Sequence, residues 1–136
     1  MPIVVIAGVP HTEKDSIASI VLSRYSQKLP QITLIHDRLE KQIDMKKNIL
    51  LISNIFSRYG DSYGLSMHPT VKTIEKEMVV LFELETERPE IREWQELNRA
   101  YAAAHFSCSL RFIRVRKGNI NLVIKEFYET LKEAFL

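Results

Sequence analysis

The sequence predicts an α/β protein, a three-layer sandwich around a mainly parallel sheet. Three observations predict it. Short apolar runs recur along the chain at 3–7, 49–52 and 78–82, and they are apolar at successive positions instead of alternating. Such runs suit strands buried on both faces, as parallel strands are. Between them lie segments with apolar residues at helical spacing, and the resulting alternation of strand and helix favours right-handed crossover units. The composition agrees: 136 residues with 46% hydrophobic and 26% charged side chains make one domain over 1–136, far too apolar for disorder.

In chain order, Ile3–Ala7 predicts the first strand, and Gly8 ends it. Ile17, Ile20, Val21, Tyr25 and Leu29 recur at helical spacing and predict a helix from about 13 to 28 that stops before Pro30. In its local sequence the turn before that helix has Thr12 as N-cap and Asp15 closing a capping box. Gln31–Ile35 predicts a second strand, 37–47 a solvated helix with Leu39 and Ile43 as a thin apolar edge, and Asn48–Ser53 a third strand. Ser66 caps a further helix with Met67, Val71 and Ile74 on one face. Met78–Leu84 predicts the next strand, Pro89–His105 a helix with Ile91, Trp94, Leu97 and Tyr101 on its apolar face, and Leu110–Val115 the last strand. Gly118 and Asn119 turn the chain into a closing helix, where Ile120, Val123, Ile124, Phe127, Leu131 and Phe135 form a broad apolar face.

Several chemistries are argued against. The net charge of +2 is nearly neutral, so no nucleic-acid partner is expected. Cys108 is the only cysteine, which leaves no internal disulfide and no thiol-based zinc site, and fits a reducing compartment. His11, His36, His68 and His105 are dispersed, so neither metal nor cofactor is expected. No run reaches membrane-spanning length and no targeting motif is legible, so membrane insertion is not expected and the cytoplasm is the expected location.

The stretch Gly8–Ser16 carries the chemical question. A P-loop reads Gly, four residues, Gly, Lys, then Ser or Thr; bare amides cradle phosphates, the lysine supplies charge and the hydroxyl holds magnesium. Gly8 and Lys14 stand in register, but Glu13 replaces the second glycine and Asp15 the hydroxyl residue, with Ser16 one position later. A Cβ at Glu13 resists positive φ, and two carboxylates beside a polyphosphate repel it. The loop therefore reads as degenerate, with Lys14 paired to Glu13 or Asp15 or else solvated.

Farther on, Tyr63-Gly64-Leu65-Ser66 precedes a helix, and the strand 78–84 ends in the acid-apolar-acid series Glu83-Leu84-Glu85. In this order and spacing the chain resembles guanylate kinase. The resemblance implies that Tyr63 and its neighbouring hydroxyl would meet the phosphate and base of GMP, and that Glu83 would lie between the two nucleotides. The hydroxyl position itself is Leu65, with Ser66 beside it. The guanine-recognising glutamate of that family falls on Asn54, and Arg38 matches its first phosphate-gripping arginine. A second arginine and a phosphate-binding tyrosine have no counterpart, and both the GMP-binding lobe and the lid are short. The resemblance thus implies a member without catalysis. Its old cleft, with Arg38, Asn54, Tyr63, Ser66 and Glu83, would serve as a scaffold module for a protein or phosphopeptide partner. The alternative is residual, weak nucleotide binding, or a nucleoside monophosphate kinase activity, at Gly8, Lys14 and Ser16.

Overall fold

The computed structural model describes residues 2–8, 12–36, 47–52, 75–116 and 118–136. Within them the order is β1 (Ile3–Gly8), α1 (Lys14–Arg24), β2 (Thr33–His36), β3 (Ile49–Ile52), β4 (Met78–Leu84), α2 (Pro89–His105), β5 (Ser109–Val115) and α3 (Ile120–Phe135). The five strands form one sheet in the order β2-β3-β1-β4-β5, and every pairing is parallel.

Side chains alternate across this sheet and sort the core into two layers. Val4, Ile6, Leu50, Ile52, Val80 and Phe82 face α1 and α3, where Ile17, Val21, Val123, Ile124, Phe127 and Leu131 close over them. Ile3, Val5, Ala7, Leu51, Val79 and Leu81 face the other way, toward Ala102 and Phe106 at the end of α2. Helices on both faces of an all-parallel sheet are compatible with a three-layer sandwich. The unbroken burial of β1 and β3 is the reason their sequences show no alternation.

The strand order places β1 in the middle and makes it a switch point. The chain leaves β1 for the outer strand β2, returns through β3, and then crosses to β4 and β5. In open α/β sheets the ligand crevice lies beyond the carboxyl ends of the strands at such a point. Gly8 ends β1 there, directly opposite Phe82 of β4.

Three local expectations are corrected. α1 stops at Arg24, and residues 25–28 form turns; Tyr25 leaves the helix to stack on Tyr128 of α3 at 3.8 Å, while Leu29 is still buried. The helical spacing of Tyr25 thus reflects packing on α3, and Leu29 belongs to the same core layer. The N-cap of α1 is Glu13 and not Thr12, and no side-chain capping bond forms. On α2 the fully buried positions are Asn98 and Ala102, whereas Ile91, Trp94, Leu97 and Tyr101 are half-buried. Among the described residues no helix is long and apolar enough to cross a membrane. The helices expected at 37–47 and after Ser66 lie outside the described residues, apart from Lys47.

Candidate functional site: the carboxyl end of the sheet

Two features occupy this end of the sheet, one at the entry to α1 and one between α2 and the ends of β4 and β5. At the first, Glu13 takes the left-handed conformation, with φ 60° and ψ 27°. The residue in the second-glycine position thus adopts the positive φ that a glycine would supply freely, at a cost of about 1–2 kcal/mol for a residue with a Cβ. Its carboxylate is exposed, as are Asp15 and Ser16.

Lys14, the first residue of α1, is only 9% exposed. Among the described residues no ion pair or hydrogen bond joins its ammonium to Glu13 or Asp15, and Asp15 acts on it through its charge alone. Burial pushes its pKa below the ordinary 10.5, and the nearby Asp15 charge pulls more weakly the other way. The lysine also sits at the positive end of a helix dipole, where a cation is disfavoured and the first amides lack helical partners. Burial, dipole and backbone conformation all oppose this arrangement in the absence of an anion.

The second feature is a cleft of about 440 Å³. Glu83, 5% exposed, receives two hydrogen bonds from Arg99 of α2: Nε donates to Oε2 at 2.6 Å and Nη2 donates to Oε1. The Arg99 guanidinium also lies over the Phe112 ring at 4.2 Å, and its bond to Glu83 pushes its already high pKa further up. One residue on, Gln95 takes both main-chain groups of Leu84: the Leu84 amide donates to Oε1 at 2.6 Å and Nε2 donates to the Leu84 carbonyl at 3.1 Å. These paired locks fix α2 against the end of β4. Arg114, opposite Glu83 in register, and Arg92 complete the basic part of the wall.

Of the residues the sequence singled out, Gly8, Lys14 and Ser16 stand at the β1–α1 junction and Glu83 in the cleft. Arg38, Asn54, Tyr63 and Ser66 lie outside the described residues. The arginines of β5 and its exit are divided: Arg111 pairs with Glu133, Arg116 with Glu85 at 2.5 Å, and Arg114 enters the cleft wall. Arg92, Gln95 and Arg99 were missed, although their spacing along α2 marks a polar stripe on one helix face. Cys108 is half-buried, and burial pushes its thiol pKa up, opposite to what a nucleophilic cysteine needs. Comparison with protein-family models and with curated protein sequences gives no match.

Proposed function

We propose that the chain is a phosphate-binding domain of P-loop ancestry, related in layout to guanylate kinase, that holds nucleotide phosphates at the β1–α1 turn without transferring them. The observation that carries this is Lys14, a residue only 9% exposed, whose ammonium has no carboxylate bonded to it among the described residues and which opens the first turn of α1. A bound phosphate would offset each opposing term at once. It would pair the ammonium, accept the free amides and satisfy the dipole. The left-handed Glu13 supports the same ancestry, because it gives the turn the backbone path of a glycine.

Transfer is a different matter. Catalysis of phosphoryl transfer rests on positioned cations and on a hydroxyl that holds magnesium. Asp15 takes that hydroxyl position and Ser16 is exposed on α1. Two carboxylates near a polyphosphate each oppose it by about 1–4 kcal/mol at contact range, so weak affinity is the expected result.

A second reading, the scaffold module for a protein or phosphopeptide partner, is favoured by one observation. Glu83, the residue that in guanylate kinase would serve the nucleotides, is here held by Arg99. Calorimetry of the full chain with ATP, GDP and GMP, with and without magnesium, separates the readings. Saturable binding that Lys14→Met abolishes, in a variant that still folds, supports the phosphate site. Absence of heat with every nucleotide rejects it and leaves the scaffold reading.

A further inference from the structure

The cleft beneath α2 is a separate matter from Lys14. Lys14 opens α1, which packs on one face of the sheet, while Glu83, Arg99 and Arg114 belong to the other face, against α2. The two features share an end of the sheet and no residues.

Its arginines are arranged unequally. Arg99 is fixed on one edge by Glu83 and on one face by Phe112. Its Nη1 group and one Nη2 hydrogen are left over, in a guanidinium whose side chain is 45% exposed. That is how a recognising arginine is pre-organised: a buried carboxylate spends one side of the fork so that the other has a single direction. Arg92 and Arg114 are exposed on the same wall, and among the described residues neither has an ionic partner. Among the carboxylates of the wall, Glu83 is neutralised by Arg99 and Glu85 by Arg116, which leaves Glu96 alone against two guanidiniums.

We propose that this cleft binds a small, polar phosphomonoester of the sugar-phosphate kind, with Arg99, Arg114 and Arg92 on the phosphate. A phosphate dianion with several acceptor oxygens matches two free guanidiniums and the open edge of a third better than a carboxylate does. The volume of about 440 Å³ exceeds what a phosphate alone needs and falls in the range of small-molecule sites, about 300–1000 Å³. Its wall is polar apart from Leu84, and the Arg99 guanidinium lies over one face of the Phe112 ring. The organic part of the ligand is therefore a hydroxylated group, not an aromatic base. Glu83 and Gln95 are positioning residues: they hold Arg99 and the end of β4, and the phosphate touches neither.

The test is a ¹H–¹⁵N titration of the full chain with ribose 5-phosphate, with ribose and inorganic phosphate as separate probes. The expected result is saturable shifts at the Leu84 and Glu85 amides and the Arg99 Nε–H, stronger with ribose 5-phosphate than with inorganic phosphate and absent with ribose. Arg114→Gln and Arg92→Gln change exposed side chains and should leave the fold intact; each should weaken binding about tenfold or more. Arg99→Lys, which keeps the charge and loses the fork, should weaken it comparably, whereas Lys14→Met should leave it unchanged. Saturation only around Gly8 and Lys14, equal affinity in the Arg114→Gln variant, or no saturable shift at all would each overturn the proposal. Because Lys14→Met removes only the site on the other face, failure here and failure of the nucleotide-phosphate reading can be told apart.

Discussion

Gly8 and Phe82 stand opposite each other in neighbouring strands so closely that a Cβ on the glycine would collide with the Phe82 carbonyl oxygen and stand 3.1 Å from its carbonyl carbon. The glycine is thus required by the packing of β1 on β4, whatever the loop after it binds. Both obstacles are backbone in the middle of the sheet, which cannot swing aside as a side-chain tip could. Gly8→Ala should therefore destabilise the fold by about 3 kcal/mol, the upper part of the usual range for overpacking. Chemical denaturation would read it as a lowered midpoint. A midpoint unchanged from wild type would mean that the strands separate easily here.

Glu13 offers the opposite case, a residue whose replacement should change binding more than stability. Glycine would relieve about 1–2 kcal/mol of left-handed strain. It would also give up about 0.5–1 kcal/mol to the freer unfolded chain, and about 0.3–1 kcal/mol of favourable carboxylate placement at a helix start. These nearly cancel, so the melting temperature of Glu13→Gly should shift little. Loss of one carboxylate beside the Lys14 site should instead tighten nucleotide binding about tenfold, the equivalent of about 1.4 kcal/mol. Calorimetry with ATP on both proteins measures this. Unchanged affinity would place the Glu13 carboxylate away from the phosphates.

Lys14 gives a pH dependence of definite sign. Burial holds its folded-state pKa below 10.5, so between that lowered value and 10.5 the unfolded chain binds more protons than the folded one. Stability contributed by this group consequently rises with pH across that window, and the penalty is largest at lower pH, where the buried lysine is charged. Lys14→Met should be more stable than wild type at neutral pH, with the difference closing as pH approaches 10.5. Thermal melts at a series of pH values would show it. A Lys14→Met protein that is less stable at neutral pH would mean that the ammonium has a strong partner.

Much of the fold was legible because its signals are local and strong. Met78–Leu84 and Pro89–His105 have the same bounds in the structure as in the sequence: the first is an uninterrupted β-prone run, and the second opens on a proline suited to a first helical turn. Signals failed where tertiary contacts decide. Tyr25 has helical spacing yet leaves α1 to meet Tyr128, and Thr12 is a good capping residue passed over for a left-handed Glu13. The cleft was illegible for a different reason. Glu83 could be found from its strand end, but its partner Arg99 is set by the packing of α2 on β4, which no local pattern encodes. Four of the five residues expected in the old GMP cleft, Arg38, Asn54, Tyr63 and Ser66, lie outside the described residues, so that expectation rests on sequence order.

Asn98 is a buried polar residue of α2. It is 3% exposed, and its Oδ1 has no hydrogen-bond partner among the described residues. A buried acceptor left without a donor costs about 1–3 kcal/mol, and leucine has a similar shape without that demand. Asn98→Leu should accordingly stabilise the chain by about 1–2 kcal/mol in denaturant melts. Destabilisation would show that the amide serves a bound water or another polar group.

The Glu83–Arg99 pair yields a prediction that depends on the order in which its members are removed. Glu83 is buried and Arg99 is about half exposed, so the carboxylate depends on the guanidinium more than the reverse. Arg99→Met strips the partner from a buried charge. The usual cost of breaking a fully buried pair is about 3–5 kcal/mol, and solvent access on the arginine side reduces the expectation to about 1–3 kcal/mol. Adding Glu83→Leu should restore part of that loss, because replacing both members by apolar residues of similar size removes the stranded charge together with the pair. The double variant should therefore be more stable than Arg99→Met alone, a non-additivity on the order of 1 kcal/mol that a double-mutant cycle in urea would resolve. If the two substitutions simply added, Glu83 would be solvated once Arg99 is gone, and the arginine would lose its status as a guanidinium held in place by a buried carboxylate.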